Sequence, residues 1–204
     1  MKTKIVLSIA IIAILVGGIA AYVGFSSSTA ANPTATPSPK PSTTSGSLPN
    51  ATISVEPTAL QLSTANIGQT IEVNVTATNA SELWGWDVAN LTFNSNVLNL
   101  TAAQEGPFMK SVGQTAFLST ASVPSVKEGN LPSVADAFFE NTTVSGSGTL
   151  MTLKFTVLSA GTSPITLGKV DLYTPIVANA VDWATGTHQA INSTIVNGRV
   201  TVAP

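Results

Sequence analysis

The chain has 204 residues, of which 44% are hydrophobic and only 9% charged, with a formal net charge of −2 and no cysteine. Without cysteine there is no disulfide framework, thiol nucleophile or Cys metal site. The five basic residues from position 51 onward are outnumbered by ten acidic ones, giving that part a net charge of −5. Phosphate recognition needs clustered Lys and Arg, so nucleic acid is excluded as a partner.

The apolar excess begins at the N-terminus, where Ile5 to Phe25 runs 21 residues without a charge behind Lys2 and Lys4. As a helix this run would extend about 31 Å, close to the hydrocarbon thickness of a bilayer. It is longer than the apolar region of a cleaved signal peptide, usually about 7 to 15 residues. Ser28, Thr29, Ala30 and Ala31 provide small residues for processing, so an uncleaved anchor and a cleaved signal both stay open. The two lysines hold the N-terminus in the cytoplasm and direct the rest outward. The expected localisation is the cell surface, held in the membrane through residues 5–25, or secretion if the segment is removed.

Residues 26–50 contain seven Ser, five Thr and five Pro with Lys40 as the single charge. Such a composition cannot bury a core and favours an extended, disordered stalk. The predicted organisation is therefore a signal-anchor or signal-peptide helix at 1–25, a Ser/Thr/Pro-rich linker at 26–50 and one domain at 51–204, whose 154 residues suffice for a core without disulfides.

Within the domain, Ile71, Val73, Val75 and Ala77 alternate with Glu72, Asn74, Thr76 and Thr78, the pattern of a half-buried strand. Met151, Leu153, Phe155 and Val157 repeat it against Thr152, Lys154 and Thr156, and Val200 and Val202 do so near the C-terminus. Shorter strands are predicted at 53–55, 116–121, 134–139 and 165–172. Turn signals stand at Glu128-Gly129-Asn130, Ser145-Gly146-Ser147-Gly148 and Asn197-Gly198. No stretch carries convincing helical periodicity, so the class is all-β, a sandwich or jelly roll. Trp84, Trp86 and Val88 share one parity while Leu91 and Phe93 take the other, which predicts a β-bulge near Ala89 and Asn90.

Asn-x-Ser/Thr sequons occur at Asn50, Asn74, Asn79, Asn90, Asn99, Asn141 and Asn192, where composition alone would give roughly three. They are N-glycosylation candidates and fit an exported glycoprotein. Catalytic constellations are poor. His188 is the sole histidine and follows Asp182-Trp183-Ala184-Thr185-Gly186-Thr187 in an expected loop, with no nucleophile elbow for a triad. The ten acidic residues show no marked pair for glycoside hydrolysis, and no Asp-x-Asp-x-Asp-Gly calcium loop occurs. The chain is read as a non-enzyme without a cofactor of its own. Trp84 and Trp183 are candidate glycan contacts through ring stacking, with Trp86 assigned to the core.

Leu83-Trp84-Gly85-Trp86-Asp87-Val88, then Phe93-Asn94-Ser95-Asn96-Val97-Leu98 and Glu105-Gly106, resemble the early strands of cohesin domains. Gly148 to Leu158, with Ala160-Gly161 and Pro164-Ile165-Thr166-Leu167, is similar to the long late strand of that family and the strand after it. Val196-Asn197-Gly198-Arg199-Val200-Thr201-Val202 resembles its closing hairpin. Together these blocks cover nearly all of 53–202 in order. The sequons and the Gly-Trp-Asp and Glu-Gly-Pro-Phe segments look most like archaeal cohesin-like surface proteins.

The resemblance implies a jelly-roll β-sandwich of about nine strands, related in fold to carbohydrate-binding modules. It also implies a non-catalytic module that docks a dockerin-like protein partner through one sheet face, often in polysaccharide degradation, with calcium brought by that partner. Direct polysaccharide binding and a structural cell-envelope subunit are the alternative expectations.

Overall fold

A computed structural model of the protein describes residues 50–121, 124–140, 142–175 and 188–204. The expected apolar helix and all of the stalk except Asn50 lie outside these residues, as do Asn141 and Trp183. No helix among the described residues is long and apolar enough to cross a membrane.

The described chain is all-β, with thirteen strands where about nine were expected. In chain order these are β1 (Ala51–Glu56), β2 (Ala59–Ser63), β3 (Thr70–Leu83), β4 (Gly85–Thr92), β5 (Leu98–Glu105), β6 (Leu118–Ser119), β7 (Asn130–Ala137), β8 (Val144–Val157), β9 (Gly161–Ile165), β10 (Lys169–Pro175), β11 (His188–Ala190), β12 (Ser193–Val196) and β13 (Gly198–Ala203). A single helical turn, α1 (Pro107–Lys110), follows β5. The first sheet has the order β12-β1-β3-β8-β5, the second β11-β10-β4-β7-β6, and a third, smaller one β2-β13-β9. The higher count comes from short edge strands such as β11 and β12, which offer too few residues for alternation to register, and from the split of the predicted 165–172 strand at Gly168. A side chain there would meet the carbonyls of Ala89 and Asn90 at 2.5 and 2.7 Å, so the chain passes β4 at a distance only glycine permits.

The core lies between the first two sheets. Val73, Val75, Met151, Leu153, Phe155 and Val157 line it from the first, and Trp86, Val88, Leu91, Leu131, Val134 and Leu172 from the second. Phe93 meets Phe155 edge-on, with ring centroids 5.1 Å apart and planes at 70°, a favoured aromatic geometry. The inward positions of β3 and β8 follow the alternation legible in the sequence.

The expected bulge at Ala89–Asn90 is not formed. The β4–β7 ladder keeps one register from Gly85↔Ala137 to Thr92↔Asn130. Asn90 instead takes a φ of +57°, and that left-handed residue turns the following side chains over without inserting one. Pro132, which has no N–H to donate, occupies the matching place in β7, so the kink interrupts few ladder bonds.

Bulges stand elsewhere. Leu150 is the extra residue of β8, since Val75 pairs Met151 and Thr76 pairs Thr149. Thr101 is the extra residue of β5, and its hydroxyl donates to the Lys154 carbonyl at 3.0 Å.

The segment Ser145-Gly146-Ser147-Gly148, expected as a turn, is part of β8. Its serines replace ladder acceptors, because the N–H groups of Asn79 and Glu82 donate to the Ser147 and Ser145 hydroxyls at 3.2 and 2.9 Å. Gly148 makes room for α1, since a Cβ there would lie 2.6 Å from the Phe108 ring. Gly148→Ala is therefore expected to lower unfolding free energy by about 1–3 kcal/mol, the usual cost of overpacking, as measured by urea denaturation; an unchanged midpoint would show that Phe108 is not pinned.

Candidate functional site

The outer face of the second sheet is built largely from small residues. Antiparallel pairing sets Gly85 beside Ala137 and Tyr173, Asp87 beside Ala135 and Asp171, and Ala89 beside Ser133 and Lys169. Leu118 of β6 extends the middle row next to Ala135. With Gly85, Ala89, Ser133, Ala135 and Ala137 on β4 and β7, the middle of the floor has little side-chain relief apart from Asp87. Polar groups collect along β10. The Tyr173 hydroxyl donates to Asp87 Oδ2 at 3.0 Å, and Lys169 pairs with Asp171 at 2.5 Å. Burial holds the Asp87 carboxyl above the usual carboxylate range, against the lowering effect of the Tyr173 hydrogen bond. The Tyr173 phenol is raised in turn, first by burial and then by Asp87, so it remains a donor throughout the physiological range.

At one end of this face, Phe139 continues the outward parity of Ala135 and Ala137 and is 52% exposed. Its neighbour Phe138 is buried. The Phe-Phe pair was the only sequence signal for that exposed ring, since one of two adjacent strand residues must face outward.

The outer face of the first sheet differs in chemistry. Glu72 pairs with Lys154 at 2.9 Å, Thr152 donates to Asn74 Oδ1 at 2.7 Å, and the Ser54 and Thr76 hydroxyls bond at 2.9 Å. The sequons distribute accordingly. Asn74 and Asn99 are half-buried on this outer face, in register with Thr152 and Thr156. Asn50, Asn79, Asn90 and Asn192 are exposed, Asn50 and Asn192 flanking the start of β1, where the Ala51 N–H donates to the Asn192 carbonyl at 3.0 Å.

The glycan-contact expectation for Trp84 is corrected. The residue is 7% exposed and its indole N–H donates to the Glu140 carbonyl at 3.1 Å, so no ring face is open for stacking. It faces inward because Leu83 and Trp84 close the core at the junction of β3 and β4. Trp183 lies outside the described residues. A shallow groove lined by Thr58, Gln61, Thr166, Asn197 and Arg199 contains no aromatic side chain. His188, expected in a loop, begins β11 and pairs with Pro175 of β10.

A second polar group sits on the inner side of the same sheet. Asp136 is directly across the β4–β7 ladder from Trp86 and is 2% exposed. Neither of its carboxyl oxygens, nor the Trp86 indole N–H, has a hydrogen-bond partner among the described residues. Nearby Glu105 accepts from the Thr115 hydroxyl and pairs with Lys110 at 3.1 Å. Burial first, and the Glu105 charge second, push the Asp136 carboxyl up to about 7.

Since this value lies above that of an unfolded aspartate, ionisation of Asp136 opposes folding. Its destabilisation is absent below about pH 4, grows as pH rises to about 7, and is level above that. Asp136→Asn should therefore gain stability over the wild type by about 1–2 kcal/mol at pH 8 and lose that gain at pH 4. Paired urea titrations measure this, and a constant difference between the two proteins across the range would contradict it.

No family model matches the sequence, and no curated protein does. Solved structures do match. A non-cellulosomal cohesin from the archaeon Archaeoglobus fulgidus superposes with a TM-score of 0.53 at 20% identity, over 76% of this chain and 92% of that one. The seventh ScaB type I cohesin of Pseudobacteroides cellulosolvens gives 0.55 at 13% identity over 76% and 92%. The type I cohesin of a cohesin–dockerin complex from Clostridium thermocellum gives 0.55 at 15% identity over 75% and 99%. These matches reach almost the full length of each relative and share its sandwich: the described strands have the cohesin fold.

Proposed function

We propose that this domain is a non-catalytic docking module that receives a protein partner of the dockerin type on the outer face of the second sheet. The observation that carries the reading is the flat floor of Gly85, Ala89, Ala135 and Ala137, flanked by the Asp87–Tyr173 pair and the exposed Phe139. A low-relief floor lets a partner helix or sheet approach closely, and an exposed aromatic at its edge is a typical anchor of binding energy. Asn74 and Asn99 stand on the opposite outer face, and Asn90 of β4 is the sequon asparagine of the second sheet among the described residues. The fold relatives add support, since they include cohesins solved with dockerins.

In this reading residues 5–25 and the stalk hold the module outside the membrane. Calcium arrives with the partner, and the partner belongs to the machinery of polysaccharide breakdown.

Titration of the full chain in detergent with calcium-loaded dockerin modules should give saturable binding by at least one of them. Phe139→Ala should weaken it about fivefold, as loss of a peripheral aromatic contact worth about 1 kcal/mol does, and Ala135→Arg should abolish it. Thermal melts should stay unchanged, because both side chains point outward. Failure of every module to bind, with or without calcium, would overturn the reading.

A further inference from the structure

The sequons differ in a way the sequence does not reveal. Transfer of a glycan requires the asparagine amide nitrogen to attack C1 of a sugar carried on a lipid phosphate. A C–N bond forms, the C1–O bond to phosphate breaks, the lipid phosphate departs with the electron pair, and the amide gives up one proton. The amide and the hydroxyl two residues later must both be accessible to the transferring enzyme.

In the Asn74 sequon both groups are engaged: Asn74 Oδ1 accepts from Thr152 at 2.7 Å, and the Thr76 hydroxyl bonds to that of Ser54 at 2.9 Å. Asn74 is also fixed in the flat centre of the first sheet, between Glu56 and Thr152. At Asn99 the Thr101 hydroxyl is committed to the Lys154 carbonyl at 3.0 Å.

Asn79 and Asn90 are different. Both are exposed, and both take a φ of +57° that breaks the extended pleat and turns the side chain away from its strand. Asn192 is exposed between β11 and β12. No side-chain hydrogen bond among the described residues holds these three asparagines or the hydroxyls of Ser81, Thr92 and Thr194.

We infer that the folded domain is glycosylated selectively, at Asn79, Asn90 and Asn192, while Asn74 stays bare because its amide and its partner hydroxyl are tied into the first sheet. This rests on the export proposed above. Asn79 stands in β3 and Asn192 just before β12, both of the first sheet, whereas Asn90 follows Ala89 in β4, so its glycan would rise beside the small-residue floor of the second sheet.

The test is peptide mass spectrometry on the full chain recovered from its native membrane. Occupancy at Asn79, Asn90 and Asn192 should exceed that at Asn74 by about tenfold. The Ser54→Ala, Thr152→Ala double variant, which removes both side-chain partners and leaves the Thr76 hydroxyl only its 3.5 Å contact with the Ser54 carbonyl, should raise Asn74 occupancy severalfold. Equal occupancy at Asn74 and Asn79 in the wild type, or no rise at Asn74 in the double variant, would overturn the inference. A chain that external protease reaches but that carries no glycan would overturn it while leaving the docking reading intact; a chain that never crosses the membrane would overturn the export on which both rest.

Discussion

Everything in this domain depends on the burial of one face of each main sheet against the other. With no cysteine available, the sandwich is held by the apolar layer between β3–β8 on one side and β4–β7–β10 on the other. Each fully buried aliphatic or aromatic side chain in that layer contributes about 1.5–3 kcal/mol relative to exposure, and the Phe93–Phe155 contact adds an oriented aromatic pair across it. Alternation then decides the rest, because a residue directed out of the core must stand on an outer face. The composition of those outer faces is what is left for function.

The two outer faces have been put to different uses. That of the first sheet is closed by its own side chains, through Glu72–Lys154, Asn74–Thr152 and Ser54–Thr76. That of the second sheet has its polar groups gathered on β10 and small side chains elsewhere. A surface that satisfies itself offers little to a partner, whereas a bare, flat one with an exposed ring at its edge does. Asp136 places a buried carboxyl, without a hydrogen-bond partner among the described residues, directly beneath this second face. Its raised pKa makes the inner side of β7 sensitive to pH.

Much of the fold was legible in the sequence because β3 and β8 alternate over enough residues for the pattern to exceed chance. The cohesin resemblance was legible from blocks such as Gly85-Trp86-Asp87-Val88 and Gly148 to Leu158, which are the residues of β4 and β8. Short edge strands were missed because two to five residues carry too little periodicity, and Ser145 to Gly148 was read as a turn because composition cannot show that its hydroxyls stand in for ladder acceptors. The parity slip after Val88 was read correctly as an irregularity. Its cause was not, since a bulge and a left-handed asparagine leave the same trace in sequence. The candidate site was the least legible part: Asp87, Ala135, Tyr173 and Phe139 come from three strands and only pairing brings them onto one surface. Trp84 drew attention as a flat aromatic on an expected strand, yet the core claims it.

The central claim is that the outer face of the second sheet receives the partner. Hydroxyl-radical footprinting of the full chain, free and bound, measures this directly, because Phe139 and Tyr173 report on that face and Ile195 and Val196 on the edge of the first sheet. The account predicts severalfold protection of Phe139 and Tyr173 with Ile195 and Val196 unchanged; protection confined to the β12 edge, with Phe139 as reactive as in the free chain, would contradict it.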